Sequence, residues 1–300
     1  MSDRYNWVRT VENNSAPLFF LLGPCAIENE QHTLMLAEYL AKLSDDLGVK
    51  VIFKASYDKA NRTSLGNYRS VGMDEGLKIL ARVRSEFELP VVTDIHESWQ
   101  AEPAAAVVDV VQIPAFLCRQ TDLLVAAGKT DKVVFIKKAQ FMRAEKMQGA
   151  VEKVTSTGNK KVWLGERGNS FGYTDLVVDM CSFPRMKALG CPVLFDVTHS
   201  VQKPGELGPS TGGDRRFVGA LAAAGVTQRI AGMFMEVHEN PDKALSDGPN
   251  SVRLSQLSDL VKYLRDLDAF VKAQPVVDLS DQSSMIMPSK LSGQLNQVVQ

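Results

Sequence analysis

The segment KASYDKANRTS, residues 54–64, places two lysines, an arginine, an asparagine and several hydroxyls in one short loop directly after an apolar run. Arginine offers phosphate a planar fork of donors and lysine a movable point charge, so this mixture suits a phosphorylated ligand. A basic loop by itself is as often a solvated surface. Its weight comes from the polar groups that recur where other apolar runs stop: Gly23-Pro24-Cys25, Lys54 with Ser56, Asp94, Gln112, Lys137, Arg167, His199 and Glu236. The cations Lys54, Lys59, Arg62, Lys137 and Arg167, with Arg119 a few residues past the fourth run, point to a ligand with more than one phosphate, or a phosphate and a carboxylate. Lys137 and Lys138 are adjacent on a strand-like run, so only one of them can face the same side as the others.

Cys25, His199, Glu236 and Asp247 make a second constellation. Thiolate, imidazole and two carboxylates suit Zn²⁺, Fe²⁺, Mn²⁺ or Co²⁺ better than Mg²⁺ or Ca²⁺, for which sulfur is a poor partner. Taken singly, a buried cysteine is ordinary packing and a lone histidine is usually just hydrogen-bonded. Three of these four, however, follow the first, seventh and eighth runs, which are neighbours if the sheet closes on itself. His238 is a rival ligand, whereas His32 and His96 have no such setting. The segment QKPGELGPSTGGDRRF, residues 202–217, holds four glycines and two prolines, and its composition supports neither a packed strand nor a helix. It reads as a connector or a mobile lid, with Arg215 and Arg216 either near a bound phosphate or facing solvent.

The elements that must position these groups are legible as alternating runs. Short apolar, β-branched stretches begin at Leu18, Lys50, Pro90, Val107, Val133, Lys161, Pro192 and Ala231. Between them lie amphipathic segments such as HTLMLAEYLAKLSDDLG, stopped by Gly48, and DEGLKILARVRSEFELP, ended by Pro90. Runs apolar on both faces imply strands covered on both sides, hence a parallel sheet. Eight such units predict an α/β fold, a closed (β/α)8 TIM barrel, whose chemistry belongs at the C-terminal strand ends. An open doubly wound sheet would normally carry a GxGxxG turn, and none occurs. Residues 1–17 read as an N-terminal extension, a hairpin or strap over the barrel's N-terminal end. Residues 18–273 form the barrel, and 274–300 a polar tail expected to be partly disordered.

Composition narrows the partners. With 34 basic and 35 acidic residues among 300, the chain offers neither a nucleic-acid surface nor a polybasic membrane patch. No signal-peptide stretch or bilayer-spanning run is present in the sequence, so a soluble, cytoplasmic protein is expected. Cys25, Cys118, Cys181 and Cys191 lack CxxC spacing, which argues against a disulfide scaffold and a zinc ribbon.

Read together, the motifs GPCAIE at Gly23, KASYDKANRTS at Lys54, TDIHE at Thr93, QIPAFLCRQTDLL at Gln112, KKAQF at Lys137, ERGNSFGY at Glu166, FDVTHSVQ at Phe195 and SDGPN at Ser246 resemble the 3-deoxy-D-manno-octulosonate 8-phosphate synthases over about residues 18–272. The resemblance implies condensation of phosphoenolpyruvate with D-arabinose 5-phosphate in a homotetramer. It implies that Lys54, Ser56, Lys59, Gln112, Lys137 and Arg167 bind phosphoenolpyruvate, and that Asn61, Arg62 and Thr63 bind the pentose phosphate, with Arg119 reaching a neighbouring subunit's site. Cys25, His199, Glu236 and Asp247 match the ligands of the family's metal-dependent branch, the metal-free branch having Asn in place of Cys. Lys59, Asp94, His199 and Cys25 are the candidate catalytic groups. The related 3-deoxy-D-arabino-heptulosonate 7-phosphate synthases use erythrose 4-phosphate and typically read KPRTS where this chain has KANRTS, so Asn61-Arg62 favours the pentose. Thr63 stands where Ser is commoner and keeps the hydroxyl. Readings from other classes are a sugar-phosphate binding protein without turnover, or a metal-dependent aldolase or phosphosugar isomerase acting without phosphoenolpyruvate.

Overall fold

The computed structural model describes residues 5–62, 64–173, 175–207 and 210–277. The apolar runs form strands β1 (Phe19–Gly23), β2 (Val51–Lys54), β3 (Val91–Asp94), β4 (Val110–Ile113), β5 (Val133–Lys137), β6 (Val162–Glu166), β7 (Val193–Asp196) and β8 (Gly232–His238). Each pairs in parallel with the next, and β8 returns to β1 with Phe19 opposite Gly232 and Gly23 opposite Glu236. The sheet is therefore the closed barrel that the count of runs predicts.

Helices cover its outside, from α1 (Glu30–Leu47) after β1 to α8 (Leu254–Ala273) after β8. Asn29 opens α1 by accepting the His32 N–H at 2.8 Å, and Gly48, at φ 61°, closes it in the left-handed conformation that glycine adopts freely. The next helix, Met73–Glu86, stops short of Pro90, contrary to the expected boundary. Proline restricts only the residue before it, and the chain has already turned at Glu88, whose φ is 52°.

Alternation along the strands sorts side chains into two cores. Phe20, Phe53, Ile136 and Phe195 pack outward against the helices, whereas Phe19, Leu21, Phe135, Trp163, Leu194 and Phe234 fill the barrel. At the N-terminal end the turn Asn6–Arg9 buries Val8 against this interior, with Trp7 edge-on to Phe19 at 5.5 Å and Trp163 Nε1 donating to the Val11 carbonyl at 3.3 Å. This cover is a helical turn, not a hairpin. No helix among the described residues is long and apolar enough to cross a membrane. The expectation for the tail beyond residue 277 lies outside the described residues.

Within residues 202–217, read as a connector or a lid, two short strands form. Gln202–Leu207 and Ser210–Gly213 pair as an antiparallel ribbon, with Gln202 opposite Gly213 and a register shift between Lys203 and Leu207. Glycine and proline exclude a strand packed inside a sheet, but a two-stranded ribbon outside the barrel sheet pairs its backbone and tolerates proline at its edge.

Trp163 is fully buried at the barrel floor. Trp163→Ala is expected to lower unfolding stability by about 3–5 kcal/mol in urea titration, and a loss below about 1 kcal/mol would show that the floor is not a packed core.

Candidate active site

The period that fills the barrel with apolar side chains continues into its charged end. Two residues beyond inward Ile52 stands Lys54, beyond Val92 Asp94, beyond Val110 Gln112, beyond Phe135 Lys137, beyond Leu194 Asp196, and beyond Phe234 Glu236. All of these but Glu236 line a cavity of about 220 Å³, whose lining includes the cations Lys54, Lys59, Arg62, Lys137 and Arg167 and the carboxylates Asp94, Asp196 and Asp247. Five cations thus face three carboxylates in the lining, an excess that attracts an anion.

Lys54, Lys137 and Arg167 each have an anchor. Lys54 Nζ donates to the Cys25 carbonyl at 2.9 Å and lies 3.4 Å from Glu236 Oε1. Lys137 Nζ is paired with Asp196 and lies 3.3 Å from the centre of the Phe234 ring. Burial holds the Lys137 ammonium down to about 8 in spite of that carboxylate. Burial also pulls down on Lys59, but Cys25, Asp94, Glu236 and Asp247 outweigh it and keep Lys59 firmly protonated. Burial pushes Asp94 up, yet His96 at 3.2 Å, Lys59 and Lys54 hold it well below the usual carboxylate range. Arg167 Nη2 donates to the His199 carbonyl at 2.9 Å and to Gln202 Oε1 at 2.6 Å. Among the described residues, Arg167 Nε, Gln112 Oε1 and Gln140 Oε1 are buried without hydrogen-bond partners, which is costly unless a ligand takes them. Lys138 faces the other way, 3.3 Å from Glu166 Oε1 and 2.8 Å from Asn169 Oδ1, as strand alternation requires.

Beside the lysines, ligand atoms of Cys25, Glu236 and Asp247 lie within 4.8 Å of one another. Cys25 Sγ is 3.1 Å from Asp247 Oδ2, and His199 Nε2 approaches Glu236 at 3.4 Å and Asp247 at 3.7 Å. His199 presents that nitrogen because Nδ1 is held by Asp196 at 2.8 Å. A carboxylate behind an imidazole is the arrangement that orients histidines toward metal ions. Asp247 adopts the left-handed φ of 50° that turns its side chain to the group. Glu236 Oε2 is buried with no partner among the described residues. Burial, then Asp247 and Glu236, push the Cys25 thiol well above its ordinary pKa. Three acidic groups so crowded are relieved by one cation, and the donor set fits a borderline transition ion.

The remaining sequence candidates divide. Ser56 hydrogen-bonds Asp94 beneath the cavity, and Asn61 and Arg62 line its mouth. Thr63 lies outside the described residues. Arg119 is exposed and outside the lining of its own chain's cavity. Arg216 pairs with Asp214 at 2.7 Å, and Arg215 grips Asp242 and the Gly248 carbonyl, so neither lines the cavity. His32, expected to lack a ligand's setting, lies in a group with Glu28 and His238, whereas His96 lies in no such group among the described residues. His96 pairs with Asp94, and the side chains of His32 and His238 gather with Glu28 and Glu239. His238 Nδ1 accepts the Asn240 N–H at 2.9 Å, which puts the ring proton on Nε2, 3.3 Å from Glu28, and leaves no lone pair for an ion. Asp196, Gln140, Gln202 and Ser246 were not singled out by residue type. Asp196 ends its apolar run at the inward parity, a signal equal to that of Asp94. Gln202 and Ser246 give none, because their places depend on loop paths.

This barrel and site carry the features of one family, and a profile of the DAHP synthetase I family matches residues 9–273. The chain belongs to that family. Among its curated relatives, the protein named 2-dehydro-3-deoxyphosphooctonate aldolase in Syntrophotalea carbinolica is 55% identical over 256 residues, covering 85% of this chain and 92% of its own length. Proteins of the same name in Geobacter sulfurreducens (54% over 256 residues, 85% and 94%) and Geobacter metallireducens (55% over 258 residues, 86% and 95%) are equally similar.

The opposite facing of the two lysines gives a separable test. Lys137→Met should weaken binding of inorganic phosphate or pyrophosphate by on the order of 10-fold, at a smaller cost in stability because Asp196 keeps His199 as a partner. Lys138→Met should instead strand Glu166 and cost about 3 kcal/mol of stability. Calorimetry and urea unfolding read the two effects, and a reversed pattern would refute the assignment of faces.

Proposed function

We propose that this protein condenses phosphoenolpyruvate with D-arabinose 5-phosphate and water, giving 3-deoxy-D-manno-octulosonate 8-phosphate and inorganic phosphate, the step that supplies Kdo for lipopolysaccharide. The product is the phosphorylated eight-carbon keto acid of the relatives' name. The observation that carries the reading is a single cavity in which five cations stand beside a cysteine, histidine and carboxylate cluster.

In this reading Lys54, Ser56, Lys59, Gln112, Lys137 and Arg167 hold phosphoenolpyruvate, while Asn61, Arg62 and Thr63 hold the pentose phosphate at the mouth. Two multiply charged substrates repel, and fixed cations offset the repulsion while aligning the reacting carbons. C3 of phosphoenolpyruvate adds to the aldehyde carbon, water captures the positive character left at C2, and the hemiketal phosphate then loses phosphate by C–O cleavage. Lys59, kept protonated by its acidic surroundings, steadies charge growing on the aldehyde oxygen, with Asp94, His199 and Cys25 completing the catalytic group.

Cys25, His199, Glu236 and Asp247 would hold the divalent ion, Zn²⁺, Fe²⁺, Mn²⁺ or Co²⁺. Bound there, it supplies Lewis acidity or positions its ligands against the substrates. Arg119 serves the site of a neighbouring subunit in a homotetramer. Its exposure, and the exposed rings of Phe116, Phe141 and Phe171, support a covered rim. The cytoplasm suits four free cysteines.

Phosphate release from phosphoenolpyruvate, measured side by side with arabinose 5-phosphate and erythrose 4-phosphate, decides the function. Release with the pentose is expected. A preference for erythrose 4-phosphate would make the chain a heptulosonate phosphate synthase, and no release with any aldose phosphate would leave a binding protein. Arg62→Ala should weaken arabinose 5-phosphate by about 10- to 100-fold, the worth of a charge-assisted contact, with little change for phosphoenolpyruvate. Arg167→Ala should show the opposite bias, and equal losses for both substrates would defeat the assignment.

Metal dependence is tested separately. Extended chelation should abolish turnover, with Mn²⁺, Co²⁺, Fe²⁺ or Zn²⁺ restoring it to different degrees and Mg²⁺ poorly. Cys25→Ala should lose metal and activity while keeping its fold. Full turnover in a sample shown by elemental analysis to be metal-free would refute the metal centre.

A further inference from the structure

One hydroxyl joins the mouth of the cavity to the sulfur of the metal-ligand group. Ser246 is 9% exposed and stands between Arg62, whose Nη2 lies 2.6 Å from its Oγ, and Cys25, whose Sγ lies 2.9 Å away. A guanidinium can only donate, so the Ser246 oxygen accepts from Arg62 and its own proton is free for sulfur. Toward a thiolate that is the sole direction the second bond can take. A donor into the oxygen polarises the hydroxyl and strengthens what it gives onward. Among the described residues Arg62 is otherwise held only by Nε on the Tyr68 carbonyl at 2.8 Å, while the Tyr68 hydroxyl is fixed to the Ile27 carbonyl at 2.8 Å. The loop base is therefore anchored beside Cys25, and the outer guanidinium nitrogens are what a bound phosphate can redirect.

We propose that Ser246 is a positioning residue that couples the sugar-phosphate end of the cavity to the Cys25 thiolate, an inference that rests on the metal centre and on Arg62 as the phosphate cation. With the mouth empty, Arg62 polarises Ser246 and the hydroxyl draws electron density from sulfur. When a phosphate monoester takes Arg62's outer donors, the hydroxyl is released and the thiolate donates more strongly to the ion. The electronic state of the metal centre then depends on whether the aldose phosphate has arrived. Hydrogen bonds to ligand atoms are an established means of tuning a bound ion.

The test uses full-length protein loaded with Co²⁺, whose thiolate-to-metal absorption reports the sulfur. Arabinose 5-phosphate, added without phosphoenolpyruvate, should move the wild-type band to longer wavelength. Ser246→Ala should begin at longer wavelength and show no further shift, although calorimetry still registers arabinose 5-phosphate binding. Ser246→Thr, which keeps the hydroxyl, should restore the response. Arg62→Ala leaves Ser246 in place and gives an independent check, with a resting band already displaced toward the ligand-bound position. An unshifted wild-type band, or a shift that survives in Ser246→Ala, would overturn the coupling. Absence of any thiolate–cobalt band in wild type would overturn the metal centre and the coupling with it.

Discussion

Asp196 is the constraint on which the two halves of this site depend. Its buried carboxylate accepts from Lys137 on one side and from His199 Nδ1 on the other, and also caps the turn Val197–Ser200 through the His199 N–H at 3.1 Å. Burial pushes this carboxyl up, but His199, Lys137 and Arg167 outweigh it and keep Asp196 ionised well below the usual range. Lys137 and His199, proposed to face the anion and the ion, are thereby fixed relative to each other by one shared partner. Neither could hold its orientation as a free rotamer in so crowded a space.

The same logic extends around the rim. Gln202 joins Arg167 to Asp247, accepting from the guanidinium at 2.6 Å and donating to the carboxylate at 3.0 Å. Lys54 binds the carbonyl of Cys25 and approaches Glu236, and Ser56 binds Asp94. Buried charges are tolerable only when paired and hydrogen-bonded, so the cations are organised by the carboxylates before any substrate enters. The close approach of backbones is part of this packing. A Cβ at Gly23 would lie 1.9 Å from the Lys54 carbonyl, so the GPC turn brings the Cys25 loop against β2 in a way that only glycine permits.

Much of this was legible in the sequence, for a reason specific to barrels. Strand period and strand end are one-dimensional properties, so eight apolar runs disclosed the closed sheet, and the polar residue ending each run disclosed Lys54, Asp94, Gln112, Lys137 and Glu236. Asp196 followed the same rule and was overlooked, because the apolar run was read on through Val197 to His199, whereas the strand ends at Asp196. Loop contacts were not legible. Ser246 reaches Cys25 across 221 positions, and Gln202 reaches Asp247 across 45. The pairing of Gln202–Leu207 with Ser210–Gly213 was not anticipated, because composition reports what can pack in a core, not what can pair outside it. His32 was given no ligand setting, although α1 and the end of β8 bring its ring to 4.7 Å from that of His238.

The central claim is that one cavity holds a transition ion on Cys25, His199, Glu236 and Asp247 and phosphoenolpyruvate on the neighbouring cations. Crystals grown with phosphoenolpyruvate and Mn²⁺ or Co²⁺, measured on both sides of the metal's absorption edge, test it most directly. The account predicts one anomalous peak among those four side chains, with the phosphoenolpyruvate phosphate and carboxylate against Lys54, Lys137 and Arg167. An anomalous peak elsewhere, or phosphoenolpyruvate bound outside this cavity with its cations still paired only to their carboxylates, would contradict it.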